Sequence, residues 1–510
     1  MHRDLEWIRS AVDGSLVLPS DSLPGGEESF DLALTTTDSR ECEAKSIYVA
    51  RVGESADGHK YVPSAVEAGA SMVVVERPVD ALDVPQVVVK DSTLALGKLA
   101  KAHLADLRSA GQVTVVGITG SAGKTTTKDL LARIAQAFGP TVAPKLSFNN
   151  EVGCPLTILE ANESTRFIVL EMGASGPGHI AYLTDIAPLD IATVLMVGQA
   201  HLGGYGSEQA LADAKAELVA GLVPGGTAVL NVDDAAVWAM GAVAPGTIVG
   251  FSAKGDVSAS YRAQDVQVDS QGRASFTLVA PGKELPVTLD LVGAHQVPNV
   301  LAAIATSQAM SLELSTAVEI CESARADSPH RMAVHQVSLP PAALGAESAG
   351  QFTLLDDSYN ANPDSMRAAF IAARGLASQG SRILMVLGEM LELGPTSEQI
   401  HREVGQAAID VEPALLIQLG DRALYGGVSP AFSREVPRSR GQGTSPVVAT
   451  SPDSATAHKL LKEELREGDV VLVKGSNGSR AWEVAELLLA GDSDDSPTPT
   501  SVASPDAERL

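Results

Sequence analysis

Short apolar runs alternate with helix-like stretches along almost the whole chain, and this rhythm limits the fold more than any other feature of the sequence. IYVA, SMVVVE, VTVVGI, FIVLEM, IATVLMV and TAVLNV are followed by FTLLDD, RILMVLG, ALLIQLG and DVVLVKG, with segments such as SAVEAGA and TTTKDLLARIAQAF between them. A strand–helix–strand rhythm is best satisfied by parallel sheets covered by helices, so the expected class is α/β. Between about residues 255 and 290 the pattern changes to polar–apolar alternation (VSASYRAQDVQVDSQGRASFTLVA), which predicts an antiparallel ribbon.

A chain of 510 residues is too long for one core. LRSAGQ (107–112) closes a first domain, 1–110, and ADSPHR (326–331) separates a second, 111–327, from a third, 328–490. Residues 340–351 and 426–446 read as long surface loops, and the tail 491–510 lacks apolar periodicity, as a disordered segment does. Acids outnumber bases 63 to 37, leaving a net charge of −26 and no basic face for a nucleic acid. No apolar run approaches the roughly 20 residues of a membrane helix. The N-terminus is polar rather than signal-like, and Cys42, Cys154 and Cys321 are too sparse for a disulfide framework. A cytoplasmic protein is expected.

After the run VTVVGI comes Gly120-Ser121-Ala122-Gly123-Lys124-Thr125-Thr126. Glycines let backbone N–H groups approach phosphates, a lysine adds a point charge, and a threonine hydroxyl can bind Mg²⁺. Leu130, Ile134 and Phe138 then step along one helix face, so the helix N-terminus points at the loop. Ile118 stands where the longer P-loop has its first glycine, which leaves G-x-x-G-K-T. The plain alternative is a glycine-rich turn with an exposed lysine.

Glu171 ends the strand FIVLEM, at the sheet edge where α/β proteins bind ligands. It is either a metal carboxylate or the first residue of a loop. Lys215 falls in a stripe with Leu211, Leu218 and Leu222. Such a lysine either snorkels to water or is desolvated, with a lowered pKa that lets it react with CO₂ to form a carbamate. His201, in QAHLGGYGS, is either a polar loop residue or a metal ligand. In DDSYNANP, Asn362-Pro363 forms a helix cap, but Asp356 and Asp357 repel each other unless a cation or hydrogen-bond donor answers them.

Together these motifs resemble the Mur ligases, ATP-dependent amide-forming enzymes of peptidoglycan precursor synthesis, which share the short loop with folylpolyglutamate synthase. The similarity runs from about residue 30 to 485 and is most specific to the branch that adds D-alanyl-D-alanine to UDP-N-acetylmuramoyl-tripeptide. TTDSR (36–40), DGH (57–59), SFNNEVGCPLT (147–157), VLEMGASGPGHI, AHLGGYGSEQALADAKAEL, DDSYNANPDSM (356–366) and LGEMLELG (387–394) carry it. The resemblance implies a uridine-nucleotide domain with Ser39 and Arg40, a central ATPase domain and a Rossmann-like third domain. It implies ATP held by residues 120–126, Asn299, Arg331 and Asp357, and Mg²⁺ held by Thr125, Glu171, His201 and carbamylated Lys215. Catalysis would rest on Lys124, Lys215, Glu171, His201 and Arg331, and substrate contacts on Asn149, Asn150, Asn360, Asn362 and Lys474. A charged strand end is the competing view of Lys474. A monomer without membrane insertion is expected.

The chain departs from the family pattern in places. Gln296 replaces an asparagine near the adenine, His330 stands where glycine is usual, and GSNGSRAWE leaves the roles of Ser476 and Arg480 open. Two rival readings accompany this one. The sibling that adds the third amino acid carries a D-N-P-R motif absent here. A nucleotide-dependent binding protein on the same fold would use the third domain for partners.

Overall fold

The structure, a computed structural model, describes residues 1–19, 29–53, 56–111, 113–144, 147–173, 176–198, 205, 207–325, 329–339, 350–377, 380–391, 393–420 and 447–490. The loop 426–446, the tail 491–510 and most of 340–351 lie outside them; Gly350 and Gln351 begin a strand rather than ending a loop.

Near the N-terminus, Ser15–Val17, Gln86–Val88, Met72–Val75, Ile47–Val49 and Thr35–Thr36 pair in that order. The pairings are parallel except for that of Ser15–Val17 with Gln86–Val88. The helix Ser92–Ala110 buries Leu96, Leu99, Leu104 and Leu107 at helical spacing. These residues join Ile47 and Met72 of the first sheet to Val115 and Ile168 of the next in one apolar cluster. The chain does turn from helix to strand near residue 110, but the core continues across that point.

The middle of the chain forms a nine-stranded sheet from β1 (Thr114–Thr119), β2 (Thr141–Val142), β3 (Phe167–Glu171), β4 (Leu189–Val194), β5 (Leu222–Asn231), β6 (Thr247–Ser252), β7 (Tyr261–Val268), β8 (Arg273–Ala280) and β9 (Lys283–Val292). Its order is β9-β8-β7-β6-β5-β4-β1-β3-β2, and β7, β8 and β9 make the antiparallel ribbon expected from the alternation. Successive residues serve opposite faces: Val115 and Ile168 pack on one side, Val116 and Val169 on the other. Helices α1 (Lys124–Phe138), α2 (Glu208–Ala220) and α3 (Gln296–Ala309) cover the sheet, α2 on the first face and the other two on the second.

The stripe drawn through Leu222 needs correcting. Helix α2 stops at Ala220 and Leu222 already belongs to β5. The break falls at Gly221, where a Cβ would sit 2.3 Å from Thr184, so the chain passes too close to its neighbour for any side chain.

The last sheet contains β10 (Ala333–Leu339), β11 (Gly350–Asp357), β12 (Ile383–Leu387), β13 (Leu415–Leu419), β14 (Val447–Ser451) and β15 (Val470–Lys474), in the order β10-β11-β15-β12-β13-β14. Helix α4 (Pro363–Leu376) lies on one face, burying Met366 and Phe370. Asn362 caps it as the sequence predicts, accepting from Ser365 N, in a reciprocal capping box. No helix among the described residues is long and apolar enough to cross a membrane.

Candidate active site

The site begins where β1 ends. Gly123 adopts φ +83°, and a Cβ there would lie 2.2 Å from Asn299 Oδ1, so glycine is required both by conformation and by the approach of α3. The turn starts α1 at Lys124, whose Nζ donates to the Gly120 carbonyl at 2.8 Å. Parallel register sets Glu171 of β3 opposite Ile118 of β1, beside the loop. Three donors converge on the Glu171 carboxylate: Thr125 Oγ1 at 2.9 Å, Ser147 Oγ at 2.6 Å and Asn149 Nδ2 at 2.9 Å. The side chain has no exposed surface. Burial alone pushes its carboxyl upward, but Lys124, the hydrogen bonds from Ser147 and Asn149, and Arg331 outweigh it, so its pKa lies below the usual carboxylate range.

One carboxylate flanked by two hydroxyls is a hard-oxygen donor set, suited to a small divalent cation that keeps waters and phosphate oxygens. Among the described residues no group of three or more His, Cys, Asp or Glu side chains is arranged to hold a metal ion. His201 lies outside the described residues.

Lys215 is buried on α2 between Leu211 and Leu218, which removes the snorkelling alternative. Burial, assisted by the charge on Lys124, draws its pKa down to about 7. It does not line the main cleft.

Across the cleft, register brings distant segments together. Asp357 at the end of β11 lies opposite Lys474 at the end of β15. Lys474 Nζ donates to Asp357 Oδ2 at 2.5 Å and to the Asn360 carbonyl at 2.8 Å, and only 1% of its side chain is exposed. A mere charged strand end would be solvated; this one is a buried ion pair. Burial pulls the ammonium below the usual lysine range, with Asp357 opposing. Asp356 is answered by His330 Nδ1 at 2.8 Å and by Ser358 Oγ at 2.5 Å. The two adjacent aspartates thus point to different donors.

The two sides enclose a solvent-open cleft of about 380 Å³, within the usual range of a small-ligand pocket. Ser121, Ala122, Gly123, Lys124, Thr125, Thr126, Asn149, Glu171, Asn299, Arg331, Asp357, Asn360, Asn362 and Lys474 all line it. The sides touch where Asn362 Nδ2 donates to the Ser121 carbonyl at 3.4 Å. Arg331 lies 4.2 Å from the Tyr359 ring centroid, a cation–π contact. Gln296 also lines the cleft and accepts from Asn299 Nδ2 at 2.9 Å, so the two amides pair with each other.

Other expected site residues lie elsewhere. Asn150 accepts from Val152 N and Gly153 N, capping a turn, and does not line the cleft. Ser39 and Arg40 sit in a 3-10 turn of the first unit, where Arg40 pairs with Asp38. Ser147, Tyr359, Asp364 and His295 line the cleft without having been singled out. Ser147 stands beside the asparagine pair and Tyr359 inside DDSYNANP, so adjacency was the available signal.

A short phosphate loop facing a second α/β unit across one cleft defines a nucleotide-dependent enzyme. Family models match throughout: the Mur ligase family catalytic domain over residues 32–104, the Mur ligase middle domain over 118–307, and the Mur ligase glutamate ligase domain over 344–477. The UDP-N-acetylmuramoyl-tripeptide–D-alanyl-D-alanine ligase of Mycobacterium tuberculosis is 39% identical over 89% of this chain and 92% of its own. MurF from Acinetobacter baumannii superposes with a TM-score of 0.79 at 28% identity, covering 96% of this chain and 99% of that one. MurF from Thermotoga maritima in complex with ADP gives 0.73 at 26% identity, covering 90% and 98%. The chain belongs to the Mur ligase family.

Proposed function

We propose that this chain joins D-alanyl-D-alanine to UDP-N-acetylmuramoyl-tripeptide, driven by ATP and passing through an acyl phosphate. The observation that carries the reading is the cleft itself, in which Lys124 and Arg331 both act on a buried, ionised Glu171. Its relatives of that name and their near-complete mutual coverage support the choice of substrates. We assign residues 1–110 to the uridine nucleotide, 111–327 to ATP and 328–490 to closing the cleft.

The terminal carboxylate of the peptide attacks the γ-phosphorus, and ADP leaves with the electrons of the broken P–O bond. The dipeptide amine then attacks the acyl carbon, loses a proton and displaces phosphate. Lys124 and Arg331 hold the phosphate oxygens and spread their charge, and the loop N–H groups fix their direction. Mg²⁺, held by Thr125 and Glu171, would neutralise phosphate charge. Closure of the third unit excludes water that would hydrolyse the acyl phosphate.

The reading is tested by product mass. With ATP and UDP-tripeptide, D-alanyl-D-alanine should yield the pentapeptide product. UDP-dipeptide with lysine or diaminopimelate should yield nothing; the reverse pattern would identify the third-residue ligase instead.

We also propose that Lys215 works as its carbamate. A pKa near 7 leaves about half of the amine neutral at that pH, so CO₂ capture should strengthen as pH rises through 7 and fade below it. In CO₂-depleted buffer at pH 6, turnover should fall and bicarbonate should restore it. Lys215→Ala should lose most activity, ignore bicarbonate and regain part of the rate with formate, which supplies an anionic oxygen. A fully active Lys215→Arg enzyme would refute the carbamate, because a guanidinium keeps its positive charge.

A further inference from the structure

His330 and Met332 both adopt left-handed backbone conformations, with φ of 61° and 51°, and Arg331 lies between them. Non-glycine residues in that region are strained and persist where neighbours hold them. Here segment 330–332 is fastened to 356–359. His330 Nδ1 pairs with Asp356 Oδ2 at 2.8 Å. Tyr359 N donates to the His330 carbonyl at 3.1 Å, and Met332 N donates to Asp357 Oδ1 at 3.1 Å. Arg331 itself rests on the Tyr359 ring. Asp356 is 2% exposed, and His330 is its ion-pair partner among the described residues.

Glycine would take this φ without strain, yet the chain carries an imidazole there, and the ring spends its Nδ1 on a buried carboxylate. We propose that His330 is a positioning residue: its ring, locked to Asp356, fixes the turn that aims Arg331 at the nucleotide phosphates. This rests on the reading of Arg331 as a phosphate contact.

Charged groups approach the ring from two elements, Asp356 from β11 and Glu486 from the helix Ala481–Ala490, whose Oε1 is 3.9 Å from Nε2. The ring of Trp482, 6.2 Å away, is neutral. Lys474 also acts on Asp356 from within the sheet. Burial disfavours the charged imidazole, but the two acids outweigh it and raise its pKa. A raised value in the fold means that the charge assistance of the lock is complete below the ordinary histidine range and is lost as pH climbs through the raised value.

The test compares wild type, His330→Gly, His330→Asn and Arg331→Ala for KM(ATP) and kcat between pH 6 and 9, with circular dichroism and thermal melts to verify folding. Glycine suits the left-handed turn and asparagine tolerates it while keeping a neutral donor, so both variants should fold. Wild-type KM(ATP) should rise with pH above the histidine range. His330→Gly should show KM(ATP) raised by up to about tenfold at low pH, with kcat changed less and the pH dependence gone, as expected for a lost charge-assisted contact. His330→Asn should give an intermediate, pH-independent value. A folded His330→Gly enzyme with wild-type KM(ATP) and pH profile, beside an impaired Arg331→Ala enzyme, would overturn the lock alone. An unimpaired Arg331→Ala enzyme would overturn the phosphate contact and the lock with it.

Discussion

Replacing Lys124 with alanine should lower kcat/KM for ATP by roughly 10²–10³-fold while leaving the fold intact, the scale of losing one preorganised charge from a transition state. The fold should survive because Gly123 sets the turn by its own φ, while the ammonium donates locally to the Gly120 carbonyl. The loss should also reach neighbouring groups. Lys124 is the strongest influence opposing the effect of burial on Glu171, so its removal should let that carboxyl rise toward protonation. Lys215, freed of a like charge, should titrate higher. The activity that remains should therefore need a higher pH than the wild type. Steady-state ADP release from pH 6 to 9 checks both effects, and near-normal turnover would remove the loop from the chemistry.

The second large effect concerns stability. Lys474→Met strands the Asp357 carboxylate among buried groups and leaves the Asn360 carbonyl without its donor. Breaking a buried pair from one side costs about 3–5 kcal/mol, whereas replacing both partners is far milder. Lys474→Met should lower the stability of the C-terminal sheet by that amount, and adding Asp357→Asn should recover a good part of it. Urea unfolding followed by Trp482 fluorescence, with Trp7 and Trp238 changed to phenylalanine, isolates this unit. Equal losses in the single and double variants would show that the pair is not coupled.

The residues differ in how far the sequence alone could locate them, for physical reasons. Strands such as FIVLEM announce themselves because a sheet buried on both faces needs continuous apolar runs. The phosphate loop is equally local, since glycines, lysine and threonine must be consecutive to surround a phosphate. Lys215 could be placed on an apolar stripe but not shown to be buried, because a lysine's long stem permits either outcome. Leu222 falls outside that stripe because the helix ends at Ala220, and its apolar side chain suits the strand that follows as well as a helix face. The pairing of Asp357 with Lys474 depends on β11 and β15 being neighbours, and strand order is a property of the whole sheet. Asn150, expected to meet substrate, caps a turn in the structure, because asparagine serves both purposes with the same atoms. The left-handed turn at His330 showed only in the glycine that is usual at that position, since histidine is not the residue that such a turn demands.

The most direct measurement is ADP release in four mixtures: complete, without D-alanyl-D-alanine, without UDP-N-acetylmuramoyl-tripeptide, and without either. A ligase that forms its acyl phosphate in this cleft and shields it from water should release ADP continuously only in the complete mixture, with one pentapeptide product per ADP. Sustained ADP release without the dipeptide, or none in any mixture from folded protein, would contradict that assignment.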